Sequence, residues 1–167
     1  VITGNKTNLM QNITGIIESQ REFFNSGATL DIKFRKQMLC KLHSALKKYE
    51  QQLSEALWND LHKSYQEAYL TEFSILYGEL ESHMRNVGKW ARKTTSKTPL
   101  HVLPSRSHIV KAPLGCTLII APWNYPVQLL LNPLIGAISA GCTAVLKPSP
   151  YVPEVSVVLE KMIVETF

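Results

Sequence analysis

The chain has 167 residues, 45% of them hydrophobic and 19% charged, with 18 Lys+Arg against 13 Asp+Glu for a net charge of +5. That balance suits one globular domain able to bury a core and excludes a disordered, fibrous or low-complexity chain. The positive excess is dispersed, with Lys36, Lys41, Lys47 and Lys48 set among Asp31, Glu50 and Glu55, and the one local cluster (Arg92, Lys93, Lys97) has no interleaved aromatic residues, so no nucleic-acid partner is expected.

A first helix is predicted over roughly 8–24, closed by Asn25-Ser26-Gly27. Asp31 is the expected N-cap of a second, in which Leu39, Leu42, Leu46, Tyr49 and Leu53 recur at alternating three- and four-residue steps. A further helix opens at the capping box Ser64-Tyr65-Gln66-Glu67 and carries Tyr69, Phe73, Leu76, Leu80, Met84 and Val87 on its apolar face. Between Thr94 and Lys111 the period changes. Two extended segments, 99–103 and 107–111, flank Pro104-Ser105-Arg106 and predict a hairpin arm.

From Ala112 onward the predicted order is strand (115–121), helix (127–140), strand (143–147), helix (153–166), with Gly141 as a C-cap and Pro153-Glu154 opening the last helix. Two buried, nearly all-apolar strands joined by a helical crossover make a right-handed parallel βαβ unit. The expected division is therefore a helical part over 1–95, an arm over 96–111, and the first half of a Rossmann-like sheet over 112–167, an α/β class. In such sheets ligands collect beyond the carboxyl ends of the strands. Asn124 follows the first strand and Lys147 ends the second, which places an amide and a cation on one rim.

Other readings are bounded by what is missing. The apolar stretches 114–121 and 127–140 fall short of the roughly 20 residues that span a bilayer, so no membrane span is expected. Residues 1–10 lack the basic and then apolar order of a secretory leader. Cys40, Cys116 and Cys142 are odd in number and widely spaced, which fits neither a disulfide framework nor a metal site. Each is read as a small buried thiol, and together they suggest a reducing, cytoplasmic setting. The sequons at Asn5 and Asn12 matter only for a secreted chain. His101 and His108 have no ligand spacing around them, and no metal is expected. Gly136 to Thr143 resembles a phosphate loop, but Cys142 stands where the Lys belongs and the segment runs from helix to strand. No GxGxxG follows the first strand.

Ala112-Pro113-Leu114-Gly115, Pro122-Trp123-Asn124-Tyr125-Pro126, Asn132-Pro133-Leu134, Ala140-Gly141 and Lys147-Pro148-Ser149 occur in the order and spacing of the aldehyde dehydrogenase superfamily. With the helical lead-in and its Glu67-Ala68-Tyr69-Leu70-Thr71-Glu72 segment, the chain most resembles the N-terminal portion of the class 3 branch, which acts on fatty and aromatic aldehydes. The resemblance implies a truncated aldehyde dehydrogenase fold and oxidation of an aldehyde to a carboxylic acid with NAD or NADP. In that chemistry a Cys thiolate attacks the carbonyl, the resulting oxyanion needs donors, and hydride passes to the nicotinamide. Asn124 matches the family's side-chain donor, Lys147 the residue bonded to the adenosine ribose, and Ser149 the KPS element beside it. Ile120, Ala121, Pro122 and Trp123 match the nicotinamide-side wall, and Tyr125 a residue near the substrate pocket. The arm is expected to join an intersubunit sheet, making the full-length enzyme a homodimer or larger homo-oligomer.

Two positions depart from the family pattern. Pro150 stands where members usually carry a Glu that repels a 2′-phosphate, which implies relaxed discrimination against NADP. Cys142 replaces the Asn of the AGN element. The chain also ends before the family's Glu base and nucleophilic Cys, so these 167 residues alone are expected not to turn over aldehyde. The rival expectation is a non-catalytic truncated homologue that serves as an interaction module.

Overall fold

Asp31 opens the longest helix by accepting from the Lys33 amide at 3.0 Å, which satisfies one of the donors that every helix start leaves free. The computed structural model describes residues 6–167, with side-chain surroundings from residue 13 onward; Asn5 and the Asn12 side chain of the two sequons lie outside them. Helix α1 (Lys6–Asn25) ends just before Gly27, and α2 (Ile32–Leu61) follows. Leu39, Leu42, Leu46, Tyr49 and Leu53 of α2 are all buried, so the predicted stripe is the one that packs.

His62 takes a left-handed conformation (φ 53°), which stops α2 and turns the chain so that Lys63 enters the interior. Ser64 then accepts from the Glu67 amide at 3.2 Å. The helical run it starts is divided into α3 (Tyr65–Ala68), a π-helical turn (Tyr69–Phe73) and α4 (Ser74–Trp90). A π turn inserts residues relative to the 3.6 period and shifts the buried face. Tyr69, expected on the apolar side, is exposed, while Glu72 and Phe73 are both fully buried. Beyond the turn, Leu76, Leu80 and Val87 are buried as the periodicity predicts.

The arm is built differently from its prediction. Its strands are β1 (Thr94–Ser96) and β2 (Ser107–Ile109), paired antiparallel with Thr95 opposite His108. Residues 99–103 are not a strand: Leu100–Val102 form a 3-10 turn, with the Val102 amide donating to the Pro99 carbonyl at 3.1 Å. Pro99 lacks the amide that a ladder needs, and the β-branched Thr94 and Thr95 supply the paired strand in its place.

The second sheet pairs β3 (Cys116–Ile120) with β4 (Thr143–Lys147), parallel and in register from Cys116↔Thr143 to Ile120↔Lys147. The crossover is α5 (Pro126–Ala140), which packs on both strands; α6 (Pro153–Thr166) follows β4 and packs on α2, and α1 lies along β4. The core is the seam where α2 and α4 meet α5 and α6. Contrary to expectation, β3 is covered on one face only. Ile119 is buried on the α5 side, whereas Leu118 and Ile120, which point to the opposite side of the strand, are exposed.

The C-terminal end of α5 is fixed by Arg35, a buried residue of α2. Its guanidinium donates to the Thr29 carbonyl at 2.6 Å, to the Ser139 carbonyl at 3.2 Å and to the Leu30 carbonyl at 3.4 Å. Burial pulls the guanidinium below its ordinary range, opposed by Cys142 and Asp31, yet arginine stays charged and complements the negative end of the helix dipole. Gly141 caps the helix at φ 86°, and a Cβ there would lie 2.5 Å from the Arg35 guanidinium. Gly141→Ala therefore combines left-handed backbone strain with displacement of Arg35, and a loss of about 2 kcal/mol of stability is expected. Thermal unfolding followed by circular dichroism checks this, and an unchanged Tm contradicts it.

Candidate active site

The carboxyl ends of β3 and β4 remain tied for one further step, since the Ala121 amide donates to the Lys147 carbonyl at 3.1 Å. Pro122 then ends the pairing. Trp123, Asn124 and Tyr125 stand exposed in the turn before α5. The Trp123 ring meets the Tyr151 ring edge-on at a centroid distance of 5.6 Å, so the turn after β3 touches the turn after β4. Asn124 and Lys147 thus share one rim, as the topology predicts. Lys147 is exposed, and neither its ammonium group nor the Asn124 carboxamide has a hydrogen-bond partner among the described residues.

The backbone of this turn is held from below. Lys63 Nζ donates to the Asn124 main-chain carbonyl at 3.1 Å and to Glu72 Oε1 at 2.7 Å, and it lies 4.4 Å from the Tyr125 ring centroid. Glu72 Oε2 accepts from the amides of Val127 at 2.9 Å and Gln128 at 3.0 Å. Pro126, the first residue of α5, has no amide proton, and the Leu129 amide already reaches the Tyr125 carbonyl at 2.9 Å. Every donor of the α5 N-terminus is therefore accounted for.

Helix α6 is started in a similar way. Pro153 opens it, and the Val155 amide donates to Asp60 Oδ2, a side chain of α2, at 2.9 Å. Ser149 is buried in the preceding turn, where its hydroxyl accepts from the Tyr151 amide at 3.3 Å and its carbonyl accepts from the Ser156 hydroxyl at 3.0 Å. Ile120 is exposed at the end of β3, and Ala121 is buried beneath the rim.

This arrangement distinguishes the parts of a dinucleotide. An exposed ammonium at a strand end suits sugar hydroxyls, and the Trp123–Tyr151 pair in the adjoining turns offers aromatic surface. A pyrophosphate is usually held by free helix amides. Here the α5 amides of Val127 and Gln128 are taken by Glu72, and the Val155 amide of α6 by Asp60, so those donors are not open to an anion.

The thiols are placed apart from this rim. Cys142 is buried and Cys116 half-buried, whereas Cys40, read from sequence as buried, is exposed on the outer side of α2 with its sulfur 3.4 Å from Met84 Sδ. Position 40 is off the buried stripe that runs through Leu39 and Leu42. Among the described residues no group of three or more His, Cys, Asp or Glu is placed to hold a metal, and no helix is long and apolar enough to cross a membrane. Sequence reasoning missed Lys63, Glu72 and Asp60. The available signal was Glu72 itself, a carboxylate beside Phe73 in the apolar stretch Ala68 to Leu76.

Comparison with known proteins identifies the family and the fold. The profile of the aldehyde dehydrogenase family matches residues 6–166. The 4,4'-diaponeurosporen-aldehyde dehydrogenase of Staphylococcus aureus is 46% identical over 147 residues, which is 88% of this chain and 32% of that protein. Aldehyde dehydrogenase family 3 member B1 of Rattus norvegicus is 41% identical over 149 residues, covering 89% of this chain and 31% of its own length. Among solved structures, the substrate-bound state of Staphylococcus aureus AldH superposes with a TM-score of 0.90 at 44% identity, over 93% of this chain and 34% of that one. The chain spans about a third of the length of the relatives it matches.

With both helix starts occupied by carboxylates, titration with inorganic phosphate is expected to leave the Val127, Gln128 and Val155 amide resonances in place. A saturable shift of those three signals in heteronuclear NMR spectra contradicts it.

Proposed function

This chain belongs to the aldehyde dehydrogenase family, and from that premise we propose that it supplies the oxyanion-binding amide and the sugar-facing wall of an enzyme that oxidises an aldehyde to a carboxylic acid with NAD or NADP. The observation that carries the proposal is the state of Asn124. Its main-chain carbonyl is tied to Lys63 while its carboxamide has no partner among the described residues, on the rim shared with Lys147. A neutral amide is suited to the role because it donates without titrating, and a donor held before the reaction begins needs no reorganisation when charge appears on the carbonyl oxygen.

The other assignments follow the same rim. Lys147 would bond the ribose hydroxyls. The backbone from Ile120 through Trp123 would form the nicotinamide side, with Ser149 shaping the turn behind Lys147, and Tyr125 would face the substrate. When bound, the nicotinamide accepts a hydride. The nucleophile and general base are assigned to parts of the enzyme outside these residues, since the three thiols lie away from the rim. The exposed β1–β2 arm, with Leu100, Ile109 and Val110 bare, would pair with a second copy to make a homodimer or larger assembly in the cytoplasm.

In the full-length enzyme, Asn124→Ala is expected to lower kcat by roughly 100- to 1,000-fold with cofactor affinity little changed. Steady-state kinetics alongside cofactor titration checks this, and an unaltered kcat removes Asn124 from the mechanism. Pro150 is exposed in the turn after Ser149. Pro150→Glu is expected to shift the ratio of kcat/KM for NAD over NADP upward by about tenfold, because a carboxylate there repels the 2′-phosphate at a cost of about 1.4 kcal/mol. An unchanged ratio removes position 150 from cofactor selection.

A further inference from the structure

We propose that Lys63 and Glu72 are positioning residues for the oxyanion donor, a pair that fixes the Asn124 turn through its backbone; the inference rests on the Asn124 reading above. Both side chains are more than nine-tenths buried, and their ion pair is 2.7 Å long. Four of their contacts go to one short segment. Lys63 reaches the Asn124 carbonyl and the Tyr125 ring, and the free oxygen of Glu72 takes the amides of Val127 and Gln128. The donor residue therefore lies between two anchor points set by one buried pair.

A simpler cap for α5 would be a Ser, Thr or Asp at its own N-cap position. That position is Tyr125, which makes no side-chain cap. The cap comes instead from Glu72, 55 residues earlier, and reaches the helix because the π turn brings Glu72 to the buried face. A remote cap does something that a local one does not: it ties the turn to the π turn between α3 and α4 and, through Lys63, to the junction of α2 and α3. Buried ion pairs are a poor route to stability, since apolar side chains of similar volume often do as well or better. What the pair supplies is a fixed location for a backbone that no strand or helix holds. An oxyanion donor works within a few tenths of an ångström, and a displacement of about 1 Å can cost on the order of 100-fold in rate.

Asp60 is the internal control. It caps α6 as Glu72 caps α5, and its hydrogen bond makes no contact with the Asn124 turn. A merely structural role for Lys63 and Glu72 predicts that they behave like Asp60.

The test uses the full-length enzyme, with Lys63→Met, Glu72→Gln, their double variant and Asp60→Asn, and with Lys63→Met repeated on an Asn124→Ala background. Lys63→Met and Glu72→Gln are expected to lower kcat by roughly tenfold or more with less than about a twofold change in KM for NAD or NADP. The double variant, with no unpaired buried charge, is expected to recover Tm but not kcat. Asp60→Asn is expected to lower Tm and leave kcat unchanged. On the Asn124→Ala background, Lys63→Met is expected to cost no further turnover, because the group it positions is gone. A full additional loss there overturns the positioning role while leaving Asn124 in place, whereas an Asn124→Ala variant with normal kcat overturns the Asn124 reading and the positioning role with it. Should Lys63→Met fail to fold, Lys63→Arg keeps a cation opposite Glu72 while moving the donor relative to the Asn124 carbonyl. The same non-additivity is then expected, and additive losses overturn the role.

Discussion

Two opposite charges buried in the protein interior, Lys63 and Glu72, set the terms for the rest of the fold. Removing both from water is costly, and their mutual attraction offsets that cost only where the remaining hydrogen-bonding capacity is also used. It is used here. One Glu72 oxygen accepts from Lys63 and the other from two helix amides, while Lys63 spends a second proton on a main-chain carbonyl. The carboxylate also lies at the positive end of the α5 dipole, where negative charge is favoured. Remove either partner and the other becomes an uncompensated buried charge.

Helix α5 is consequently held at both ends by the preceding helical part. Glu72 takes its first amides, and Arg35 takes the Ser139 carbonyl near its last turn. The signs match the dipole at each end, so both contacts act in the same direction. Helix α6 has its Asp60 cap from the same source. The helices before the sheet are thus a frame for the turns after β3 and β4, not a separate lead-in. The Trp123–Tyr151 contact completes the frame by joining the two turns to each other.

The βαβ unit was legible because each boundary has a local cause. Pro126 presets the first turn of α5, Gly141 is required at φ 86°, and the β4 and α6 limits fall where the apolar runs and Pro153 put them. The rim followed from topology alone. The framing contacts were not legible. Glu72 acts across 55 residues and Arg35 across 104, and no periodicity within a helix encodes a partner at that distance. The π turn hid Glu72 further, because a strict 3.6 period places Tyr69 rather than Glu72 beside Phe73 on the buried side. The arm misled for the opposite reason: the apolar 99–103 segment outweighed Thr94-Thr95-Ser96, although Pro99 could not pair.

The occupied helix starts also explain why the phosphate-loop and GxGxxG signatures are absent. Those loops exist to leave backbone amides open toward an anion. In this chain the corresponding α5 amides are taken by Glu72, next to the Asn124 turn. A helix N-terminus can serve an anionic ligand or an internal carboxylate, but not both with the same donors. Using them internally frees the rim for groups that do not need the dipole: a neutral amide, an exposed ammonium and two aromatic rings. The chemistry proposed for the rim follows from that exchange, since the turn held by Lys63 and Glu72 is the one that presents the amide.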